Sequence, residues 1–323
     1  MRVLVTGATG LLGNNLVRLL LESGRTVRAL VRRQDDRSLS GLDIRTTLGS
    51  VEDPVAVARA CENVDWVVHA AGDVHIGWTG RDRQLAVNVQ GTRNIVDAAL
   101  AAKARMIHVS TVNALGLGTA TEPATETTPA GGAIECGYVT SKRLAEQLVA
   151  RAMQEGLSAT IVNPGFVLGP WDWKPSSGKM LLQVHHRFTP FAPRGGCSVC
   201  DVRDVAHGIL TLIDRRPAEK QFILAGENMT YLDLWTRICR TTGSRPPIMR
   251  AGPFMCVIVG TFGDLRARWT GRENDVNSAS LQMSSQFHYY DSRRAEQALG
   301  YRSRPVDKSI RDAWNWFREY GYA

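Results

Sequence analysis

The chain begins with a short apolar strand, Val3 to Val5, which runs into a glycine-rich turn and then into an amphipathic helix. The turn reads Thr6-Gly7-Ala8-Thr9-Gly10-Leu11-Leu12-Gly13. Glycines at this spacing allow a tight turn, close approach of the backbone to a pyrophosphate, and close packing of helix on strand. The helix N-terminus offers unpaired N–H groups to the phosphates. A glycine triplet alone is a weak signal, but here it lies between the elements that the mechanism requires, so it predicts a dinucleotide site.

Strand and helix patterns alternate through the first half of the 323-residue chain. Such alternation predicts an α/β fold, a Rossmann-type doubly wound parallel sheet with right-handed helical crossovers. The predicted strands are 3–5, 26–31, 43–48, 65–70, 106–110 and 159–162, with a returning strand at 221–224. The predicted helices are 11–22, 53–61, 82–102 and 138–154.

The alternation ends after Pro164. Residues 166–200 are rich in Gly, Pro, Trp and Lys and are predicted to be irregular, while helical patterns dominate from about residue 228 to a last helix at 309–320. We therefore predict a dinucleotide-binding domain of residues 1–165 plus about 201–225. Residues 166–200 plus 226–323 are predicted to form a smaller, discontinuous substrate lobe. Because ligands lie at the carboxyl ends of parallel strands, this lobe is expected to close over the substrate.

The net charge of +8 is compatible with an anionic cofactor. A nucleic-acid partner is not predicted, because no basic stretch with interleaved aromatic residues occurs. The first strand begins at residue 2 with no secretory leader before it, so a cytoplasmic location is expected. The most apolar window, 252–262, is shorter than a membrane span. We expect it to be a buried helix, with peripheral membrane contact as the alternative.

Cys197 and Cys200 form a C-x-x-C pair among six cysteines. Such a pair occurs in zinc and redox sites, but here no second Cys or His pair lies at ligand spacing. Buried thiols without a metal are therefore the prediction, and no disulfide framework is expected in a chain of this length.

Tyr138 and Lys142 are four residues apart at the start of a predicted helix, which places them on one face. A phenol has an ordinary pKa near ~10 and is a poor acid–base catalyst alone, but a nearby ammonium is expected to lower it. Thr111 follows the strand 106–110 at the edge where ligands bind. These three residues predict proton transfer to or from a substrate oxygen.

Eight short segments carry a resemblance in their order and spacing. They are TGATGLLG (6–13), HAAG (69–72), VNVQGTRN (87–94), VST (109–111), YVTSK (138–142), NPGFVLGP (163–170), CDVRDVA (200–206) and YDSRRAEQALGY (290–301). On these segments the chain resembles the extended short-chain dehydrogenase/reductase superfamily, also called the NAD-dependent epimerase/dehydratase family. The likeness is greatest to dihydroflavonol-4-reductase-like members.

The resemblance implies a role for each matching position. Tyr138 would be the general acid/base, Lys142 would hold the nicotinamide ribose, and Thr111 or the adjacent Ser110 would orient the reacting oxygen. Asn88 resembles the helix asparagine of the group, with a polar helix residue of no catalytic role as the alternative. The implied cofactor-binding residues are Gly7, Thr9, Gly10, Leu11, Leu12, Gly13, Ala70, Ala71, Gly72, Pro164, Gly165, Phe166 and Val167.

Arg32 and Arg33 follow the second strand, where an NAD enzyme usually has an acid and an NADP enzyme an arginine. Asp35 and Asp36 come later and are expected to lie beyond reach. We therefore predict NADP(H), with NAD(H) as the alternative. Ser50 and Val51 follow the third strand, where many relatives have an aspartate, so Ser50 is expected to supply any adenine contact.

The leading functional hypothesis is NADP(H)-dependent reduction of a ketone or aldehyde, or oxidation of the alcohol. An apolar pocket is expected from five aromatic residues, Trp171, Trp173, Phe188, Phe191 and Phe254. The alternative is an NDP-sugar epimerase with tightly bound NAD, in which basic residues grip the sugar diphosphate. Those candidates are Lys174, Lys179, Arg187, Arg194 and Arg203.

A cofactor-sensing protein without turnover is disfavoured, because such proteins tend to lose the tyrosine–lysine pair that is present here. Relatives often dimerise through the helices that match 82–102 and 138–154, so a homodimer is expected.

Overall fold

The computed structural model describes residues 1–34, 36–270 and 273–323. The strands are β1 (Arg2–Thr6), β2 (Thr26–Val31), β3 (Arg45–Leu48), β4 (Trp66–His69), β5 (Arg105–Val109), β6 (Ala159–Pro164), β7 (Phe166–Leu168), β8 (Phe191–Ala192), β9 (Gly196–Asp201), β10 (Gln221–Leu224), β11 (Glu227–Thr230), β12 (Met249–Arg250) and β13 (Phe287–His288). The helices are α1 (Leu11–Glu22), α2 (Pro54–Cys61), α3 (Arg81–Gln84), α4 (Gly91–Ala101), α5 (Gly137–Gln154), α6 (Gly178–His186), α7 (Val202–Arg215), α8 (Tyr231–Thr242), α9 (Pro253–Thr270), α10 (Ser278–Ser284), α11 (Arg293–Leu299) and α12 (Val306–Glu319).

A seven-stranded parallel sheet in the order β10-β6-β5-β4-β1-β2-β3 forms the centre of the molecule. The strand order reverses at β1, which pairs with β2 on one side and β4 on the other. A doubly wound sheet opens a crevice at such a reversal, beyond the carboxyl ends of the strands. The predicted fold class is confirmed, and the crevice lies directly above the glycine-rich turn.

Helices cover both faces of this sheet because successive apolar side chains of its strands point to opposite faces. Val3 and Val5 face one way and pack with α1 and α7, while Leu4 faces the other way and packs with α2, α4 and α5. All three side chains are fully buried. The apolar run of β1 therefore fixes a three-layer core.

The segment 166–200, predicted to be irregular, contains two of the lobe's main elements. Strand β9 pairs antiparallel with β11 and parallel with β7 and β13, forming a second sheet. Helix α6 buries Leu181 and Val184 against α8 and α12. The prediction was wrong here because α6 has only nine residues. A helix that short gains its stability from tertiary packing rather than from a long periodic pattern.

The boundary between the two predicted domains remains a prediction. Helix α11 lies in the predicted substrate lobe by sequence but packs on the other domain. Ala295, Leu299 and Tyr301 pack in the core of the parallel sheet, although residues 226–323 were assigned to the substrate lobe. Helix α12 does pack in the lobe, through Ile310 and Phe317.

The two cysteines of the C-x-x-C pair lie on β9, where residues three apart face opposite sides of a strand. Cys197 packs in the lobe core and Cys200 in the core of the parallel sheet. Both thiols are buried, and burial raises the pKa of Cys197 to about 12.

The predicted helix 82–102 is interrupted. Residues Leu85–Gln90 form a π-helical turn between α3 and α4, and this turn carries Asn88. Single π turns occur frequently at functional sites because they displace one residue from the regular helical path.

Candidate active site and nucleotide cradle

The turn between β1 and α1 is packed so closely that its glycines leave no room for side chains. Gly7 has a left-handed φ of +70°, and a Cβ on it would lie 2.7 Å from the carbonyl carbon of Ala70. A Cβ on Gly13 would overlap the carbonyl oxygen of Gly7. Gly10 is the N-cap of α1 and has no side chain to satisfy the first-turn N–H groups of Leu11, Leu12 and Gly13. This bare, positively polarised backbone fits the pyrophosphate of a nicotinamide dinucleotide.

The end of β4 lies against this turn. The Thr6 hydroxyl accepts a hydrogen bond from the Ala71 N–H at 3.2 Å, which ties the two strand ends together. Gly72 follows, and a Cβ there would lie 3.2 Å from Asn88 Oδ1 and 3.6 Å from Lys142 Nζ. The segment Ala70 to Gly72 therefore connects the cradle to the predicted catalytic residues.

Tyr138, Lys142 and Thr111 meet at the carboxyl end of β5. Tyr138 and Lys142 lie on the first two turns of α5, and Thr111 caps the short 3-10 helix Val112–Ala114 that follows β5. The Thr111 side chain lies close enough to Tyr138 to act on the pKa of its phenol. Lys142 Nζ donates to the carbonyl oxygen of Val109 at 2.9 Å. All three residues are buried.

Burial sets the direction of the pKa shifts of Tyr138 and Lys142. It raises the pKa of Tyr138 to about 12, against the opposing effect of the Thr111 side chain. It lowers the pKa of Lys142 to about 8, against the attraction of Glu146. The expectation that Lys142 lowers the pKa of Tyr138 is therefore wrong for this structure. The ammonium group donates to Val109, and desolvation of the phenol sets the direction of the shift.

Asn88 holds the loop after β4 against α5. Its Oδ1 accepts from the Asp73 N–H at 2.8 Å, and its Nδ2 donates to the Asp73 carbonyl at 3.0 Å and to Ser141 Oγ at 2.9 Å. Ser141 in turn donates to the Tyr138 carbonyl. These contacts favour a positioning role for Asn88. Ser110 is buried, and among the described residues its hydroxyl has no hydrogen-bond partner.

Two buried histidines, which the sequence reasoning missed, lie near Lys142 on β4 and β5. His69 lies between the hydroxyls of Thr6 and Thr92, at 2.8 and 3.0 Å, and its ring centroid is 5.5 Å from that of His108. Burial, with the charge of Lys142, lowers the pKa of His69 to about 3 and that of His108 well below its ordinary value. Both rings are thus neutral at physiological pH. The HAAG segment was the available signal for His69.

A lobe residue, Lys174, connects the segment after β2 to the glycine-rich turn. Arg32 and Arg33 are exposed, and Asp35 lies outside the described residues. Asp36 caps the 3-10 helix Arg37–Leu39, and its Oδ2 lies 2.7 Å from Lys174 Nζ, which is 3.4 Å from Thr9 Oγ1. Asp36 was expected to lie beyond reach, but Lys174 links it to the cradle. A lobe residue at this point was not predicted.

Two further predicted segments lie around the crevice. Ser50 Oγ donates to Glu52 Oε2 at 3.0 Å, and Val51 packs so close to Gly91 that a Cβ there would lie 2.6 Å from Val51 Cγ2. Pro164 ends β6, and a Cβ on Gly165 would lie 2.5 Å from the Ser198 carbonyl oxygen. Phe166 and Val167 pair with β9 and are half-buried.

The predicted aromatic pocket does not assemble. Trp171 and Trp173 pack with Trp316 and Tyr320 of the lobe, whereas Phe188 and Phe254 are exposed. Several cations proposed to grip a sugar diphosphate are in ion pairs instead. Lys174 pairs with Asp36, Lys179 with Asp275, and Arg203 with Asp201 and Asp312.

Comparisons with known proteins point to one family and one fold. A model of the NAD dependent epimerase/dehydratase family matches residues 3–225. The chain is 33% identical over 330 residues to sterol demethylase protein B of Methylococcus capsulatus, covering 99% of each protein. It is 32% identical to the protein named "Putative dihydroflavonol 4-reductase" of Synechocystis, covering 98% of this chain and 95% of the relative. The crystal structure of gox2253 superposes with a TM-score of 0.85 at 35% identity, covering 99% and 98% of the two chains.

Replacing the buried ammonium of Lys142 by the apolar Met is expected to stabilise the fold. The folded-state pKa of about 8 lies below the ordinary value, so the unfolded chain binds more protons between pH 8 and about 10.5. Lys142→Met should therefore raise the free energy of unfolding at pH 7 by on the order of 1–2 kcal/mol, and the gain should shrink as pH rises through that window. Urea unfolding at pH 7 and pH 9.5 measures this. Lys308→Met, at an exposed site, should show no such pH dependence. A gain that is the same at both pH values would contradict the buried-charge explanation.

Proposed function

The chain belongs to the NAD dependent epimerase/dehydratase family, and we propose that within it the protein is an NADP(H)-dependent reductase of a ketone or aldehyde. The observation that carries the proposal is the buried cluster of Tyr138, Thr111 and Lys142 beside the nucleotide cradle. The bound dinucleotide would supply the hydride. The residues of the chain would bind, orient and protonate the substrate.

Tyr138 is suited to give a proton rather than to take one. With a pKa of about 12 the phenol is protonated at neutral pH. Hydride addition to the substrate carbonyl carbon would leave an alkoxide oxygen, which is a much stronger base. Thr111, which lies close to Tyr138, would orient the substrate oxygen. Lys142, whose ammonium group is buried beside the cradle, would hold the nicotinamide ribose of the bound cofactor. This order of events favours reduction over oxidation near pH 7.

Two relatives support the type of substrate. Their names refer to a sterol and to a dihydroflavonol, and both matches extend over nearly the whole chain. We propose that the carbonyl group belongs to a molecule of this kind, larger and more apolar than a free sugar.

The preference for NADP(H) is supported by the charges at the end of β2. Arg32 and Arg33 are exposed there, and Lys174 neutralises Asp36. Hydrogen bonds from Lys174 and Ser38 outweigh burial and lower the pKa of Asp36, so its carboxylate stays charged and paired. A paired Asp36 is a poor acceptor for a ribose 2′-hydroxyl, whereas three cations suit a 2′-phosphate.

The epimerase alternative is less well supported. It needs cations that are free to bind a sugar diphosphate, but Lys179 and Arg203 are in ion pairs, and Lys174 lies beside Thr9 of the nucleotide cradle. It also needs a cofactor that stays bound through the cycle.

We also propose a homodimer and a cytoplasmic location. Leu100 of α4 and Leu144 of α5 are exposed on the two helices that dimeric relatives use, and burying such residues would stabilise a two-fold interface.

Removing the Tyr138 hydroxyl tests the chemistry. Tyr138→Phe should lower the rate of NADPH-dependent ketone reduction by at least about a hundredfold, because the proton donor is lost. The Kd for NADPH, measured by fluorescence titration, should stay within about twofold. Tyr320→Phe, at the C-cap of α12, is the matched control. Unchanged turnover in Tyr138→Phe would remove this residue from the mechanism.

Removing the Lys174 charge tests the cofactor preference. Lys174→Ala should raise the Kd for NADPH about tenfold, a loss of roughly 1.4 kcal/mol. Binding of NADH should be unchanged or tighter, because Asp36 is released to accept from a 2′-hydroxyl. Lys179→Ala, whose partner Asp275 lies elsewhere, should change neither constant. Equal weakening of both nucleotides would show that Lys174 does not discriminate between them.

A further inference from the structure

The expectation that the apolar window 252–262 forms a buried helix is wrong, because only Gly260 and Gly263 of α9 are buried against the protein. The helix instead presents an apolar stripe to solvent along its whole length. Phe254, Ile258, Phe262, Leu265 and Trp269 recur at intervals of four, four, three and four residues, which places them on one face. Phe254, Phe262 and Trp269 are 76%, 69% and 85% exposed. At 1.5 Å per residue the stripe is about 22 Å long. Contiguous apolar surface of this size marks a site of interaction.

The opposite face of the helix is fixed to the protein. A Cβ on Gly260 would lie 2.8 Å from the Cα of Ser278, and a Cβ on Gly263 would overlap the carbonyl oxygen of Val276. Asp264 accepts a hydrogen bond from the Ser278 N–H at 3.0 Å. Because this face is packed on α10 through small residues, the stripe cannot turn inward, and its exposure is a fixed property of the fold.

The charges of α9 indicate what covers the stripe. Its basic residues, Arg266 and Arg268, lie on the two borders of the stripe and are exposed. Its one acidic residue, Asp264, points to α10. Two copies packed through this stripe would bring arginines together with no acid of the helix between them. An anionic surface would satisfy both borders.

We propose that α9 docks the protein on an anionic lipid membrane, lying in the interface with the apolar stripe among the acyl chains. Trp269 at one end suits the headgroup region, where indole rings are favoured, and the arginines would reach lipid phosphates. The surface continues beyond the helix. Trp78 is 48% exposed and donates through Nε1 to Ser278 Oγ at 2.7 Å, beside the helix that supports α9.

This docking face is coupled to the predicted catalytic residues. Helix α10, on which α9 lies, buries Ala279 and Met283 in one cluster with Tyr138 and Val139. The loop between β4 and α3 is also tied to this side. Glu273 accepts hydrogen bonds from His75 Nε2, the Trp78 N–H and the Thr79 hydroxyl. A membrane on α9 would therefore lie near the wall of the active site, where a lipid-soluble substrate could enter.

Vesicle sedimentation with the full-length protein tests the inference. The wild type should bind phosphatidylcholine vesicles that contain 30% phosphatidylglycerol, and bind pure phosphatidylcholine at least fivefold more weakly. Phe262→Glu/Trp269→Glu should lower the partition coefficient on the anionic vesicles at least tenfold. Arg268→Glu should lower it less and weaken its salt dependence, because Arg266 remains on the other border of the stripe. Val55→Glu, at a 68% exposed site on α2, is the matched control and should bind like the wild type.

Depth of insertion is a second, independent readout. Lipids brominated on their acyl chains should quench the tryptophan fluorescence of the wild type, and Trp269→Phe should lose most of that quenching. Binding that the double variant leaves intact would overturn the proposal. So would a wild type that ignores both vesicles but forms a dimer that the double variant dissociates, because α9 would then be a protein interface. No substrate is present in either assay, so the result does not depend on the proposed reaction.

Discussion

The buried ammonium of Lys142 is the interaction on which the site depends. Its hydrogen bond to the Val109 carbonyl ties α5 to the end of β5, and a Cβ on Gly72, which follows β4, would lie in ordinary contact with the ammonium at 3.6 Å. The neighbouring histidines are neutral because burial and this charge lower their pKa values. The fold thus keeps one positive charge in a dry, polar pocket. That charge is costly to bury, and holding the nicotinamide ribose of a bound cofactor would give it a use.

The elements around that charge are held by close backbone packing and by hydrogen bonds of a buried amide. The Gly7 and Gly13 contacts fix α1 against β1, and the π turn that carries Asn88 brings its amide to both the loop after β4 and helix α5. At the far end of the crevice, Lys174 connects the lobe to Asp36 and Thr9. The parallel sheet therefore builds the cradle, while the lobe completes the end that would meet the adenosine ribose.

Much of this could be predicted from local sequence. The strand–turn–helix at the N-terminus, the alternation that gives the parallel sheet, and the Tyr138–Lys142 pair all depend on neighbours in the chain. What could not be predicted depends on distant residues. Helix α6 is stable through packing on α8 and α12, Lys174 finds Asp36 across 138 positions, and the exposed face of α9 is set by where Gly260 and Gly263 meet α10. The direction of the Tyr138 pKa shift likewise follows from burial, which no spacing in the sequence encodes.

Isotope transfer tests the central claim, a net reduction by an exchanging cofactor, most directly. The purified protein would be given NADPH deuterated at the transferable C4 position together with an apolar ketone, and the product analysed by mass spectrometry. We expect the alcohol to carry deuterium at the carbinol carbon, with an equal amount of NADP⁺ formed. A product that carries no label, from a protein that retains tightly bound NAD in an unchanged oxidation state, would contradict the reductase and favour an epimerase.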